Sequence, residues 1–207
     1  MLIFICNFAS HFGFVLIMSE IRDIERRICR LESIEEIRQL QAKYQRCLDT
    51  RDFDGIAECF AEDVCSSYDN GKMSYEGRDA VMMFLCNVMR LNMPSTHLIH
   101  GGEVDIIDEI HAHAKWFLED YLLHQRYKMK LHGAAIYEVD YVKIEDKWLI
   151  KSIGYKRCYE YLEWRPLMNL MTLGKRTFFD RLKNTAPETL GKYGKYFQYE
   201  ILKKKKI

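Results

Sequence analysis

Apolar residues recur at steps of three and four between Ser19 and Leu48, and this spacing predicts one long amphipathic helix. Charged and amide side chains fill the opposite face. Ser19 is the expected N-cap, and Thr50-Arg51-Asp52 is the expected end of the helix. The apolar stripe consists of Ile21, Ile24, Ile28, Leu31, Ile34, Ile37, Leu40, Tyr44 and Leu48.

Shorter elements are predicted after this helix. A second helix runs through Phe53, Ile56 and Phe60, and a hairpin turn at residues 69–72 (DNGK) joins strands 64–68 and 73–75. A third helix is expected over residues 77–91. After Pro94 the pattern changes to four strands, at residues 96–107, 110–123, 130–144 and 148–159. Helices followed by a meander predict an α+β domain, in which one curved antiparallel sheet covers the long helix.

The two ends of the chain differ from the middle in composition. Residues 1–17 carry no charge at pH 7 and lack the features of a secretory signal, and Met18 opens a polar stretch. We therefore expect residues 1–17 to be an upstream-start extension outside the fold, with a weak membrane anchor as the alternative. The domain is expected over residues 18–164. Residues 165–207 form a C-terminal extension that is expected to be partly helical, at 167–179, with a solvated basic tail.

Composition narrows the classes of partner. Lys and Arg number 31 against 30 for Asp and Glu, which argues against a nucleic-acid binder and favours a small molecule. Seven cysteines without a C-x-x-C pair fit neither a disulfide framework nor a zinc site, so a reducing cytoplasm is expected. The chain has no G-x-G-x-x-G, P-loop or G-x-S-x-G motif. We expect no cofactor, no metal and no membrane partner.

Asp120 lies on the apolar face of its predicted strand, alternating with Trp116, Leu118 and Leu122. An unpaired carboxylate there would be costly, so Asp120 requires a donor or a cation opposite it. His111 and His113 lie on the other face, where a solvated pair is expected.

His97 is predicted to face the same interior as Asp120. Gly101-Gly102 indicates a bulge, which brings His97 into phase with Val104 and directs both inward. A core histidine that donates to a backbone carbonyl and a catalytic base both fit these residues.

Three further polar residues complete a candidate site. Tyr44 belongs to the helix stripe, and Asp49 at the helix end is either a plain polar terminus or part of the site. Arg157, which alternates with Tyr155, is a candidate partner for a carboxylate or a snorkelling side chain. Together these types of residue can carry out proton transfer without a metal or nucleotide.

Five segments resemble the SnoaL-like branch of the nuclear-transport-factor-2-like superfamily, most closely the bacterial bile-acid 7-alpha-dehydratases and more distantly the scytalone dehydratases. They are residues 43–49 (KYQRCLD), 60–64 (FAEDV), 68–72 (YDNGK), 116–120 (WFLED) and 154–157 (GYKR). The resemblance spans residues 33–164 and implies a cone-shaped α+β fold, in which a strongly curved antiparallel or mixed sheet packs on the long helix and shorter helices. It also implies a catalytic set of Tyr44, Asp49, His97, Asp120 and Arg157. It implies that His97 removes a proton, Asp120 orients His97 and Tyr44 assists at an oxygen. For Asp49 and Arg157 it implies a role in holding the charge and the geometry of the pocket.

The function that this resemblance implies is a cofactor-independent dehydratase, acting on a polycyclic hydroxy-ketone of steroid or bile-acid type in a hydrophobic pocket. The alternatives are an isomerase or cyclase of the same superfamily, or a non-catalytic protein that binds a small molecule. A homo-oligomer, trimer or dimer, is also expected.

Overall fold

The computed structural model describes residues 2–68, 71–89, 93–124 and 127–164, with side chains from residue 17 onward. It contains three helices and six strands within these residues, and it confirms the predicted α+β class with a curved sheet and a long N-terminal helix. The elements are α1 (Leu2–Thr50), α2 (Phe53–Ala57), β1 (Phe60–Tyr68), β2 (Met73–Glu76), α3 (Arg78–Val88), β3 (Ser95–Ile106), β4 (His111–His124), β5 (Met129–Ile144) and β6 (Lys147–Trp164).

The sheet is mixed, with the strand order β2-β1-β6-β5-β4-β3. Strands β3 to β6 form the antiparallel meander that the sequence predicts. Strand β1 joins this meander through a parallel pairing with β6, in which Ser66 lies opposite Ile153. Strands β2 and β3 are the two edges of the sheet. Edge position leaves part of the β3 backbone available to other groups.

The hydrophobic core lies between the helices and one face of the sheet. The inner face of β4 carries Ala112, Ala114, Trp116, Leu118 and Asp120, all buried, as the alternation predicts. Helix α1 contributes Ile37, Tyr44 and Leu48 from its stripe. The inner face is therefore apolar except at a few positions, and those positions form the candidate site.

The predicted bulge in β3 is confirmed. His100 pairs with Phe117 and Glu103 with Lys115, so that Gly101 and Gly102 together oppose Trp116. A Cβ atom on Gly102 would lie 2.1 Å from the Trp116 ring, which explains why the residue there is glycine. Before and after the bulge, Ile99 and Val104 both pack against the core.

Several predicted boundaries are wrong. Helix α1 begins at Leu2, so Ser19 does not cap it, and the preceding residues contain no proline that would stop the helix. Phe60 begins β1 instead of ending the second helix, and β6 continues to Trp164. The predicted extension at 165–207, with its helix at 167–179, lies outside the described residues, as do Asp69 and Asn70 of the predicted turn. That residues 1–17 are dispensable for the fold stays a prediction.

None of the helices in the described part of the chain has an apolar stretch long enough to cross a membrane.

Candidate functional site

The C-terminal end of α1 is a tight turn built on Arg51. The Asp52 amide donates to the Cys47 carbonyl and the Arg51 amide to the Leu48 carbonyl, which is the Schellman pattern. Arg51 has a left-handed backbone (φ 60°), a conformation that glycine adopts more readily. Its guanidinium offsets this strain by donating to the carbonyls of Leu48 and Asp49 at 2.8 and 3.0 Å.

The same guanidinium joins the helix end to the start of β3. Arg51 Nη1 donates to Ser95 Oγ at 2.7 Å, and Nη2 donates to the Met93 carbonyl. Ser95 Oγ in turn donates to Asp49 Oδ1 at 2.8 Å. The last turn of α1 and the edge strand β3 are thus held in one hydrogen-bonded network around Asp49.

Asp49 is the hydrogen-bond partner of His97. Oδ1 of Asp49 lies 2.7 Å from His97 Nδ1, and Oδ2 accepts the His97 backbone amide at 2.8 Å. Burial acts to raise the pKa of Asp49, but the hydrogen bonds from His97 and Ser95 outweigh burial and lower it. An ionised carboxylate only accepts, so Nδ1 carries a proton, and in the neutral imidazole Nε2 then has the lone pair. This arrangement prepares His97 as a base.

His97 and Asp120 lie directly opposite each other on β3 and β4. Because the His97 amide points to Asp49 and not to β4, the two residues form the narrow type of cross-strand pair, with side chains close together on one face. The shared inner face is as predicted. The orienting role that the resemblance implies for Asp120 is wrong, however, since the carboxylate that contacts the His97 ring belongs to Asp49.

Asp120 is paired with Arg157 instead. The two side chains form a bidentate ion pair, with both N–O distances 2.7 Å, and only 4% of the Asp120 side chain is exposed. The pair crosses β5 at Gly133, where a Cβ atom would lie 2.7 Å from Arg157 Nη1 and 3.1 Å from Asp120 Oδ1. A bulge at Cys158 in β6 adjusts the register beside it. This pair supplies the cation that the sequence required opposite Asp120.

Buried phenols surround these polar residues. Tyr44 is 1% exposed, and burial raises its pKa well above the usual value, with Tyr68 and Tyr137 adding to the increase. Burial likewise raises the pKa of Tyr68 and Tyr137. The Tyr155 ring lies under the Arg157 guanidinium, 4.8 Å from the ring centre to Cζ. These phenols keep their protons at neutral pH and can act as donors.

Two buried hydroxyls on the inner face of β1 lack a normal hydrogen-bond partner among the described residues, namely Ser66 Oγ and Tyr68 Oη. Tyr68 lies beside Tyr44 and packs against Tyr155 and Phe84. Buried polar groups are normally satisfied, so these two atoms are suited to bind an oxygen of a ligand.

The buried thiols behave as small hydrophobic groups. Burial raises the pKa of Cys59 and of Cys86 to about 12, and it also raises the pKa of Cys47. These thiols stay protonated and are poor nucleophiles. Within the described ranges, no three His, Cys, Asp or Glu side chains are arranged to hold a metal ion.

The outer face of the sheet carries a separate set of polar residues. His113 Nδ1 lies 2.7 Å from Asp140 Oδ1, the same distance as in the His97–Asp49 pair. An open cavity of about 420 Å³ on this face is lined by residues that include His113, Asp140 and Lys156. It lies on the side of the sheet away from Asp120, so it is distinct from the candidate site.

Tyr44 and Asp120 are buried, and Asp49, His97 and Arg157 are partly buried. Their contacts divide the five predicted site residues into the His97–Asp49 pair, the Asp120–Arg157 pair and Tyr44 among the phenols. Sequence reasoning missed Arg51, Ser95, Tyr68 and Tyr137. Tyr137 could have been found, because it alternates with Ala135 and Val139 on the buried face of β5. Arg51 carries no such signal, since its role depends on a left-handed turn.

Comparison with known proteins finds a match between residues 29–153 and the model of the SnoaL-like domain family. Among solved structures, a protein from Novosphingobium aromaticivorans named as a scytalone dehydratase is 19% identical, with a TM-score of 0.61 over 64% of this chain and 89% of that chain. The hexachlorocyclohexane dehydrochlorinase LinA-type3 from Novosphingobium barchaimii is 14% identical, with a TM-score of 0.62 over 70% and 99%. An NTF2-like protein of unknown function from Pseudomonas putida is 18% identical, with a TM-score of 0.53 over 61% and 87%. These likenesses establish the fold.

Proposed function

Because this chain belongs to the SnoaL-like domain family, we propose that its inner site is that of a cofactor-independent dehydratase in which His97 is the base. The observation that carries the proposal is the 2.7 Å contact between His97 Nδ1 and Asp49 Oδ1. A carboxylate in this position holds the imidazole in one tautomer and stabilises the cation that forms when Nε2 takes a proton.

The proposed substrate is a polycyclic hydroxy-ketone of steroid or bile-acid type. An apolar inner face with a few buried donors suits a rigid hydrophobic molecule that carries two or three oxygens. The buried hydroxyl of Ser66, and that of Tyr68 beside Tyr44, offer hydrogen bonds to such oxygens. Two of the structural relatives are a dehydratase and a dehydrochlorinase by name, and both of those reactions are eliminations.

In the proposed reaction, His97 Nε2 removes a proton from a carbon activated by the conjugated ketone. The electron pair of the broken C–H bond moves toward the ketone oxygen, where a phenol donates a hydrogen bond. The C–O bond of the hydroxyl group then breaks, a C=C bond forms, and the hydroxide leaves with a proton from the His97 imidazolium. The products are the dienone and water, and His97 returns to its neutral form.

Tyr44 is the proposed donor in this reaction. Its raised pKa keeps the phenol protonated, so that it can donate a hydrogen bond to an oxygen that becomes negatively charged. Asp120 and Arg157 neutralise each other, and in this proposal they shape the wall of the pocket beside His97 without transferring a proton.

The test is incubation with 7-hydroxylated 3-oxo-4-ene steroids, with absorbance used to follow the extended dienone. The wild-type protein should form the dienone, and His97→Ala should not. His113→Ala is the matched control, because His113 makes the same 2.7 Å contact with a carboxylate on the opposite face of the sheet.

The control variant should retain wild-type turnover. A shift of the double bond without loss of water would identify the protein as an isomerase and refute the dehydratase proposal. Steroid binding without any His97-dependent chemistry would identify a binding protein and refute the proposal.

A further inference from the structure

The apolar stripe of α1 is only half covered by the rest of the protein. From Ile37 to Leu48 the stripe is buried under the sheet. Toward the N-terminus the same stripe is exposed, with exposed fractions between 42% and 65%. We call these exposed residues the N-terminal seam: Ile17, Ile21, Ile24, Ile28 and Leu31.

The spacing of the N-terminal seam is that of a coiled coil. Its five residues are separated by steps of four, three, four and three, so they occupy alternating a and d positions over two heptads. Four of the five are isoleucine. A surface helix without a partner normally presents polar residues to solvent, so this regular apolar row points to another helix that packs against it.

The polar side of this helix favours a protein partner over a membrane surface. Helices that lie on membranes are usually rich in Lys and Arg on the polar face. Here the charges cancel, because four arginines are matched by four acidic residues between positions 18 and 33. They are Arg22, Arg26, Arg27 and Arg30, and Glu20, Asp23, Glu25 and Glu32.

We propose that the N-terminal seam packs antiparallel against the same seam of a second copy of this chain. With Ile21 packed against Ile24 of the partner subunit, Glu20 lies beside Arg27 of the partner subunit, and the two-fold symmetry repeats this pair. A parallel pairing would bring Arg27 beside Glu32 of the partner subunit, which is attractive, but it would also bring Glu20 beside Glu25 of the partner subunit, which is repulsive and cancels that gain. The flanking charges therefore select the antiparallel arrangement.

The surface next to the seam supports this arrangement. Arg30 Nη1 donates to the Ile106 carbonyl at 3.1 Å, so the turn between β3 and β4 lies beside the C-terminal end of the seam. Ile107 and Ile110 in that turn are 67% and 50% exposed. In an antiparallel pair the partner's helix runs toward this turn, which extends the apolar contact beyond the seam.

The first experiment measures the mass of the full chain by sedimentation and light scattering over a range of concentrations. The Ile24→Glu variant should have half the wild-type mass at concentrations where the wild type is associated. Met83→Glu is the matched control, because Met83 is also an exposed apolar residue on a helix, at 44% exposure, and this variant should keep the wild-type mass. Circular dichroism should show that both variants are folded.

The second experiment tests the direction of the helices. Glu20→Arg alone and Arg27→Glu alone should each weaken association roughly tenfold, and the double variant should restore it. In a parallel pair Glu20→Arg would strengthen association by removing a repulsion. A wild-type chain that stays monomeric, or an Ile24→Glu variant that keeps the wild-type mass, overturns the interface. Stronger association of Glu20→Arg, or no rescue by the double variant, overturns the antiparallel pairing.

Discussion

At the scale of single residues, Asp49 and Asp120 differ in the partner that each carboxylate holds. Asp49 accepts hydrogen bonds from the ring and backbone of His97 and from Ser95. Asp120 is neutralised by the two Nη atoms of Arg157. The first pair can move a proton, because an imidazole ring can both accept and release one, whereas a guanidinium group keeps its charge.

We predict that His97 and Asp49 act as one unit in turnover. His97→Ala should lower kcat by about 10²–10⁴-fold, the usual contribution of a general base. Asp49→Asn should also lower kcat severely, because the amide no longer holds His97 in the correct tautomer. The double variant should be little worse than His97→Ala alone. The measurement is a double-mutant cycle on kcat. Losses that multiply would mean that the two residues act independently and would contradict the pairing.

We predict a pH-dependent contribution of Asp49 to stability. The pKa of Asp49 is lowered in the folded state, so its ionised form stabilises the fold above the usual carboxyl pKa, and this contribution is lost as the pH falls through the lowered value. The difference in unfolding free energy between wild type and Asp49→Asn should therefore be larger at about pH 5 than at about pH 2.5. Urea titrations at the two pH values measure it, and an equal difference at both would contradict the prediction.

We predict that the Asp120–Arg157 pair is sensitive to removal of either partner. Arg157→Met leaves a buried carboxylate unpaired and should cost about 3–5 kcal/mol of unfolding free energy. Asp120→Asn should cost less, because Glu160 Oε2 still lies 3.2 Å from Arg157 Nε. The double variant should lose less than the sum of the two. Lys156→Ala, which removes an exposed pair with Glu138, is the control and should cost at most about 1 kcal/mol.

At the scale of elements, the site depends on how the end of α1 meets the edge strand β3. A carboxylate in the last turn of a helix is unfavourable next to the negative end of the helix dipole. The donors from β3 and the Arg51 guanidinium offset this cost. The joint between the two elements therefore holds Asp49 and His97 in register.

We predict that Arg51 stabilises this joint. Arg51→Gly keeps the left-handed turn but removes the bonds to Ser95 and Met93, and it should cost about 1–3 kcal/mol. Arg51→Ala should cost about 1 kcal/mol more, because it loses the same bonds and retains the backbone strain. Chemical denaturation measures both values. Equal stability of the two variants would show that the turn is not strained.

At the scale of the whole molecule, the parallel pairing of β1 with β6 joins the β1–β2 hairpin to the meander. Of the helix α1 side chains that the structure describes, those in the C-terminal half pack into the core. Arg30 makes a contact with the sheet, at the Ile106 carbonyl, and the buried part of the stripe begins at Ile37. The stability of the domain should therefore reside in residues from about 30 onward.

We predict that a chain that starts at Met18 has the same thermal unfolding midpoint as the full chain, measured at low protein concentration. The physical reason is that the helix residues next to the removed segment, from Ile17 to Leu31, leave their apolar side chains exposed within one copy, so the domain's core begins further along the chain. Loss of cooperative unfolding in the shorter chain would show that residues 1–17 contribute to the fold.

Local patterns were enough to predict the faces of individual elements. The period-two alternation of β4 predicts that Asp120 is buried, and the glycine pair at 101–102 predicts the bulge that aligns His97 with Val104. Both inferences need only the neighbours of a residue along the chain. The start of α1 was not predictable in the same way, because a residue such as Ser19 permits a helix to begin but does not require it, and no proline precedes it to stop the helix.

The sequence by itself determined the class of fold, the burial of Asp120, the inward direction of His97 and the need for a donor or a cation opposite Asp120. Only the tertiary structure decided that Arg157 is that cation and that Asp49 is the partner of His97. A sequence pattern shows which side chains share a face, but not which of them are in contact. Contact depends on strand register, on the space left by Gly133 and on the turn at Arg51. These features arise between elements that are distant in the chain, so periodicity along one element carries no information about them.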